Sequence, residues 1–366
     1  MSSLVRKYYQ GMLPPLNPLS EDAIGMVQLY ANESPYDIAK EFFTGDELAS
    51  LFNLGLNRYP DCEALALREA YCYYLDGIVG VGNVAAGNGS DELIRAICDV
   101  YLETGDVAMS LEPAFGSYKS GAASAKGVYI GIEPSNEWLE PDIEGLIAQA
   151  NEKNAKLIFI CNPFNPTGYL WRSEDIIRVI EGTGGMCVVD EAYIEFSSAK
   201  SFASYAAGNP RALVLRTISK AFGCAGLRVG FAIGAVENIT AINCAIDMYS
   251  INSFSQTAAA MLLRKPGIIA PYIKQIKEER DWLALRLAEF EGMAVFPSQS
   301  NFILVRTPIT KEIVEETMKS NILIRSYSSY PSNIRISVGL REENEALLEA
   351  IGKAYAKAMG EDDEKD

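Results

Sequence analysis

Residues 219–230 read SKAFGCAGLRVG, which sets one lysine, Lys220, among small and apolar residues eight positions before Arg228. Such neighbours desolvate an amine, disfavour its ammonium form and leave a nucleophile able to hold a carbonyl as a Schiff base. The ordinary fate of an isolated lysine is a solvated surface position, so the reading depends on what surrounds it. Arg228 lies in a Gly-Leu-Arg-Val-Gly setting, where its planar fork can clamp a phosphate, and the Ser219 hydroxyl can donate to the same group. Upstream, the apolar run 186–189 ends in Asp190 and Glu191 and continues to Tyr193. A carboxylate and a phenol therefore stand where a buried strand emerges.

That strand is one of a series. From about residue 62 the chain alternates helical segments with short apolar strands at 107–110, 127–132, 157–161, 186–189, 212–216 and 230–233. Strands at this spacing, separated by amphipathic helices, imply an α/β fold with a mostly parallel sheet covered on both faces. A charged helix at 271–291 then leads to strands at 301–306, 322–325 and 334–338, which alternate with helices at 311–319 and 342–358. The expected organisation is an N-terminal arm with part of a small domain (1–56), a large domain (57–255), a small C-terminal α/β domain (256–358) and a solvated acidic tail (359–366).

Composition supports an enzyme and removes rivals. At 366 residues and 49% hydrophobic, the chain can bury a large core. It contains no histidine, which excludes Ser-His-Asp and Cys-His catalysis in their common forms and argues against a zinc site. A net charge of −16 argues against nucleic acid, whose partners need a basic face. The seven cysteines form no C-x-x-C pair and read as reduced core residues of a cytoplasmic protein. No stretch has the length and apolarity of a signal peptide or a membrane span.

Two further strings carry chemistry. GNGSDE at 87–92 precedes a helical pattern, so Gly89, Ser90 and Asp91 can present free backbone N–H groups to an anion, although Ser90 and Asp91 are equally ordinary helix caps. CNPFNPTG at 161–168 ends a strand in a rigid turn containing Asn165. Lysine, arginine, carboxylate and phenol together describe a pocket for pyridoxal phosphate. In it Asp190 would keep the pyridine nitrogen protonated, and Asn165 and Tyr193 would share the phenolic oxygen. The Asp190-Glu191 pair could instead bind Mg²⁺, but no Gly-x-x-x-x-Gly-Lys-Ser/Thr loop precedes it.

These strings, with ANESP at 31–35, NRYPD at 57–61, PAFGSY at 113–118, VVDEAYIEF at 188–196, SNFIL at 300–304 and NIRISVG at 333–339, resemble the fold-type I pyridoxal-phosphate enzymes, and more closely the histidinol-phosphate aminotransferase family. The resemblance covers nearly the whole chain. It implies that Lys220 forms the Schiff base and shuttles a proton, that Asp190 pairs with the ring nitrogen, and that Tyr193 and Asn165 pair with the ring oxygen. Phe115 would stack on the ring. Ser90, Ser219 and Arg228 would hold the phosphate, joined by Tyr59 of a partner subunit in a homodimer. Arg335 and Arg325 would bind substrate carboxylate and phosphate, with Asn32 beside them, and 2-oxoglutarate would accept the amino group.

Departures concentrate on the substrate side. Phe164 stands where the family has asparagine, Met248-Tyr249-Ser250 replaces Pro-Tyr-Asn, and the segment between Arg325 and Arg335 is short and carries Tyr327 and Tyr330. Besides transfer from histidinol phosphate, the sequence leaves open an aromatic amino-acid aminotransferase and a lyase such as threonine-phosphate decarboxylase.

Overall fold

The computed structural model describes residues 25–134, 136–358 and 360. The first part of the expected arm, 1–24, and all of the acidic tail but Gly360 lie outside the described residues. Twelve strands follow in chain order: β1 (Val27–Leu29), β2 (Val84–Gly87), β3 (Val107–Leu111), β4 (Val128–Ile132), β5 (Leu157–Cys161), β6 (Met186–Asp190), β7 (Ala212–Thr217), β8 (Gly230–Ile233), β9 (Ala294–Val295), β10 (Phe302–Arg306), β11 (Ile322–Ser326) and β12 (Asn333–Ser337). They form one seven-stranded sheet, β2-β8-β7-β6-β5-β3-β4, and one five-stranded sheet, β1-β11-β12-β10-β9.

In the larger sheet the strands from β3 to β7 pair in parallel, while β8 runs antiparallel to both β7 and β2. β5 (LIFIC), β6 (MCVVD) and β7 are buried at every position. Such runs have no polar face, so they are stable only inside a sheet covered on both sides. Alternate residues serve opposite layers: Ile158, Ile160, Val189 and Val214 join one apolar cluster, and Leu157, Phe159, Val188 and Leu213 the other. The expected α/β architecture is the one observed. Because β4 lies on one side of β3 and β5 on the other, the direction of winding reverses between β3 and β5. The crevice beyond the carboxyl ends of strands at such a reversal is where ligands of open α/β sheets bind.

The smaller sheet packs against the helices Ala270–Leu287 and Arg341–Ala358 through Leu283, Leu287, Ile303, Ile334, Ile336, Leu347 and Ile351. Its edge is β1, parallel to β11 with Leu29 opposite Ile324. Three residues are too few to show periodicity, so this strand has no sequence signature, and its pairing is a tertiary outcome. It delivers Tyr30 to Glu33 directly to the mouth of the crevice.

Cysteine usage differs in part from expectation: Cys62 and Cys244 are exposed, while Cys72, Cys98, Cys161, Cys187 and Cys224 are buried.

Candidate active site

A cavity of about 550 Å³ opens at the carboxyl ends of β3, β5, β6 and β7 and is covered by residues of the smaller sheet. Ser90, Asp91, Phe115, Asn165, Asp190, Tyr193, Ser219, Lys220 and Arg228 line it from the large-sheet side, and Asn32, Arg325 and Arg335 from the other. Residues spread from position 32 to position 335 thus converge on one space.

Lys220 follows β7 through a tight turn in which the Ser219 N–H donates to Thr217 Oγ1 at 3.1 Å and the Thr217 hydroxyl reaches Val229 O at 3.1 Å. Its Nζ donates to the Ala31 carbonyl at 2.8 Å. Enclosure by the protein, reinforced by the Arg335 guanidinium, pushes the ammonium down to about 8. A fraction of the order of one tenth is therefore a free amine at neutral pH.

Asp190 ends β6 and is 4% exposed. Burial pushes its carboxyl up, and two donors hold it down: the Tyr118 hydroxyl at 2.6 Å and the Ala192 N–H at 3.1 Å. The next residue diverges. Glu191 is fully buried on the other side of the chain, where it accepts from Arg216 at 3.1 Å, from Ser201 Oγ and from Phe202 N. The two carboxylates do not face one ligand, which removes the magnesium alternative for this pair.

Tyr193 is buried, its hydroxyl pushed up by desolvation, and it accepts from Asn32 Nδ2 at 3.1 Å. Asn165 Oδ1 accepts from Arg335 Nη1 at 2.7 Å. A guanidinium only donates, so this contact orients the amide and leaves Nδ2 as the group that can donate to a ligand.

At the opposite end of the cavity the helix Gly89–Tyr101 begins. Gly89 has φ +78°, and a Cβ there would run into the Arg228 guanidinium. A Cβ on Gly230 would lie 2.7 Å from Gly89 C and Ser90 N, so only glycine lets the start of β8 approach the helix N-terminus this closely. Arg228, itself left-handed at φ 54°, reaches Asp91 Oδ2 at 3.2 Å, and the Ser117 hydroxyl donates to Asp91 Oδ1 at 2.6 Å. Helix N–H groups, a guanidinium and the Ser219 hydroxyl make this end receptive to a dianion.

The two substrate-side arginines stand opposite each other across β11 and β12. Arg335 is buried and gives Nη2 to Tyr30 O at 2.6 Å, while its Nε has no partner among the described residues. Arg325 is exposed, 5.9 Å from the Tyr327 ring, and makes no ion pair among the described residues. Asn32 reaches the cavity wall, but its amide is spent on Tyr193 and Ser337. Tyr59 is not brought to the cavity of its own chain; it is 79% exposed and stacked on Tyr249 with ring centroids 4.3 Å apart. Gly89 stands behind Ser90 rather than on the lining.

Sequence reasoning missed Tyr118, the partner of Asp190, and the Ala31 carbonyl that holds Lys220. Tyr118 lies in the quoted PAFGSY string, three residues after Phe115 and hence on the same helix face, which was the available signal. A main-chain carbonyl has no sequence signal.

The donors fit the expected cofactor. The volume lies in the range of small-molecule sites, and the cavity has a cationic helix end, a buried carboxylate with room for a partnered cation, and a desolvated amine.

Comparison with known proteins agrees. The family model for aminotransferase class I and II matches residues 25–351. The chain is 35% identical over 330 residues to the histidinol-phosphate aminotransferase of Ruminiclostridium cellulolyticum, covering 89% of this chain and 91% of the relative. It is 37% identical over 326 residues to the enzyme of that name from Thermococcus gammatolerans, covering 89% and 91%. Among solved structures, histidinol-phosphate aminotransferase from Sinorhizobium meliloti, in complex with pyridoxal-5'-phosphate, has the same fold with a TM-score of 0.86, 23% identity and coverage of 98% and 99%.

Proposed function

The chain belongs to the class I and II aminotransferases and, within them, to the histidinol-phosphate aminotransferase family, and from that premise we propose that it moves the amino group of L-histidinol phosphate to 2-oxoglutarate with pyridoxal 5'-phosphate as cofactor. The observation that carries this reading is the enclosure, in one cavity, of a desolvated lysine, a buried carboxylate and two arginines on adjacent strands.

When bound, the cofactor supplies an electron sink for the charge that develops on the substrate α-carbon. Lys220 would hold it covalently and, as an amine whose proton affinity burial brings down toward neutrality, would take and return the α-proton through Nζ. Asp190 would hold a proton on the ring nitrogen. The desolvation that raises the carboxyl is relieved when a cation faces it; Tyr118 donates to Oδ2 and the Ala192 N–H to Oδ1, which fixes the carboxylate's orientation and leaves each oxygen a further lone pair. Asn165 and Tyr193 would orient the ring oxygen, and Phe115 would cover the ring face. The backbone N–H groups of Ser90 and Asp91, the Ser219 hydroxyl and the Arg228 guanidinium would bind the phosphate, with the helix dipole adding to the attraction and the phosphate displacing the Asp91 carboxylate from Arg228.

Arg335 uses two of its five N–H groups on Asn165 and Tyr30, and the rest remain for a substrate carboxylate or phosphate. Arg325, exposed and without an acidic partner among the described residues, supplies the second positive charge that a dianion requires. The smaller sheet covers this end of the cavity and limits its water, which strengthens both contacts.

The active unit is a homodimer in this reading. Tyr59 and Tyr249 are both exposed and stack on each other, and a pair of solvent-facing aromatics is a natural contact for a protein partner. Tyr59 would reach the phosphate of the partner subunit's cofactor. No described helix is long and apolar enough to cross a membrane. A biosynthetic enzyme acting on soluble phosphorylated metabolites would work in the cytoplasm.

The test is an amino-donor screen with 2-oxoglutarate, following the visible spectrum of the holoenzyme. Histidinol phosphate should be turned over with the highest kcat/KM. Preference for phenylalanine or tyrosine would replace the substrate assignment with an aromatic aminotransferase, and carbon dioxide release without an oxo acid would replace transfer with a lyase.

A further inference from the structure

Asn32 is 1% exposed, has left-handed backbone at φ 53°, and is hydrogen-bonded at each of its polar atoms. Its N–H donates to Ser337 Oγ at 2.8 Å, its carbonyl accepts from Asn301 Nδ2 at 3.0 Å, its Oδ1 accepts from Ser337 Oγ at 3.3 Å, and its Nδ2 donates to Tyr193 OH at 3.1 Å. A residue engaged in this way is poorly suited to bind a substrate that comes and goes. Its connections run instead between β12 of the smaller sheet and the phenol on the large-sheet side of the cavity.

The direction of these bonds is decided at one end. A backbone N–H can only donate, so Ser337 Oγ must accept from Asn32 N, and its own proton is left for Asn32 Oδ1. Ser337 is 1% exposed and has no other acceptor among the described residues. Turning the Asn32 amide over would leave that hydroxyl proton buried without an acceptor, at a cost comparable to a whole lost hydrogen bond. With the amide so fixed, Nδ2 faces Tyr193, the Tyr193 oxygen accepts, and the phenolic proton is left to point elsewhere. Tyr193 lines the cavity, so the remaining direction is toward the ligand.

We propose that Ser337 and Asn32 form a one-way hydrogen-bond relay that makes Tyr193 an obligate donor into the cavity, so that Asn32 is a positioning residue rather than a substrate ligand. The proposal rests on the assignment of pyridoxal phosphate to this cavity. Burial, which keeps the Tyr193 phenol protonated, acts in the same sense. Asn165 shows the same logic from the other side, where Arg335 fixes its amide as a donor. Two groups that could each have accepted are thereby held as donors to one point, the arrangement that favours an anionic ring oxygen there.

The experiment is a double-mutant cycle of Asn32→Asp and Tyr193→Phe, read from the pH midpoint of the visible band of the lysine-bound cofactor and from the affinity of the apoprotein for pyridoxal phosphate. Aspartate tolerates the left-handed backbone at position 32 and accepts where asparagine donates. It would capture the Tyr193 proton and reverse the relay. Each single variant should raise the midpoint, because an oxygen that loses a donor becomes more basic. In the double variant the rise should fall short of the sum by roughly half a unit to one unit. An additive cycle would mean that the introduced carboxylate acts only through its charge, and the relay would be wrong. A midpoint that moves in Tyr193→Phe and not in Asn32→Asp would also overturn it. Ser337→Ala is the second variant: a smaller rise that vanishes once it is combined with Tyr193→Phe supports the relay, and no rise counts against it. If the wild-type protein binds pyridoxal phosphate without a visible band, the cofactor assignment fails together with the relay.

Discussion

At the residue scale the decisive quantity is the proton affinity of one amine. Lys220 titrates near 8 in the folded protein against about 10.4 in an unfolded chain. Between those values the unfolded state binds more protons, so the apoprotein should gain stability as pH rises from about 8 to about 10.5; below pH 8 the penalty of burying the amine is fully present and constant. Lys220→Met removes this dependence. Denaturant unfolding of the two apoproteins should give a stability difference that moves in favour of wild type by about 2 kcal/mol across that window, and a flat difference would show that the amine is not desolvated. Asp190 illustrates the opposite requirement. A carboxylate only 4% exposed stays useful because Tyr118 and Ala192 donate to it, and those donors come from residue 118 and from its own turn. The carboxylate was legible in the sequence. Its partner was legible only as an aromatic in a suggestive string, since nothing local ties positions 118 and 190.

At the scale of elements, function depends on strands that end where a helix begins. The end of the cavity proposed for the phosphate takes its shape because β8 starts with Gly230 against the first turn of the helix Gly89–Tyr101. Gly230→Ala would press a methyl group onto backbone atoms that cannot rotate away. It should cost about 1–3 kcal/mol and shift the helix start, and with it the phosphate contacts. Calorimetry should show the destabilisation, and apoprotein titration should show cofactor affinity lowered by roughly tenfold or more; unchanged affinity would mean that the close approach does not shape the anion site. Nine of the twelve strands were readable to within a residue or so, most of them because burial imposes an unbroken apolar run; β2, β9 and β1 were not. The clearest case is β1. Its place on β11 follows from an exposed sheet edge meeting a short extended segment, and that edge exists only after the smaller sheet has formed.

At the scale of the whole molecule, the proposed homodimer turns on one exposed side chain. Tyr59 lies on the surface of its own subunit, yet the family resemblance gives it a role at a phosphate. Complementation tests this. A Lys220→Ala protein and a Tyr59→Ala protein, each impaired alone, should recover activity when subunits are exchanged, because a mixed dimer contains one site that carries both defects and one that carries neither. Absence of recovery in mixtures proven to form mixed dimers would place Tyr59 in its own subunit's chemistry or in none. Two subunits of net charge −16 repel each other, so association in such a dimer has to be driven by apolar contact that outweighs this repulsion.

The sequence by itself determined the fold class and the cofactor, because strands buried on both faces, a lysine among small and apolar neighbours and glycine-opened turns each leave a mark in local residue choice. Only the tertiary structure decided that Glu191 turns away from Asp190 to Arg216, that Tyr118 donates to Asp190, that a main-chain carbonyl at Ala31 holds Lys220, and that the Asn32 amide donates to Tyr193. These are contacts between residues tens to hundreds of positions apart. Their geometry follows from how two sheets close on one cavity, and hydrogen-bond direction is set by which atoms meet there rather than by any residue's own preference.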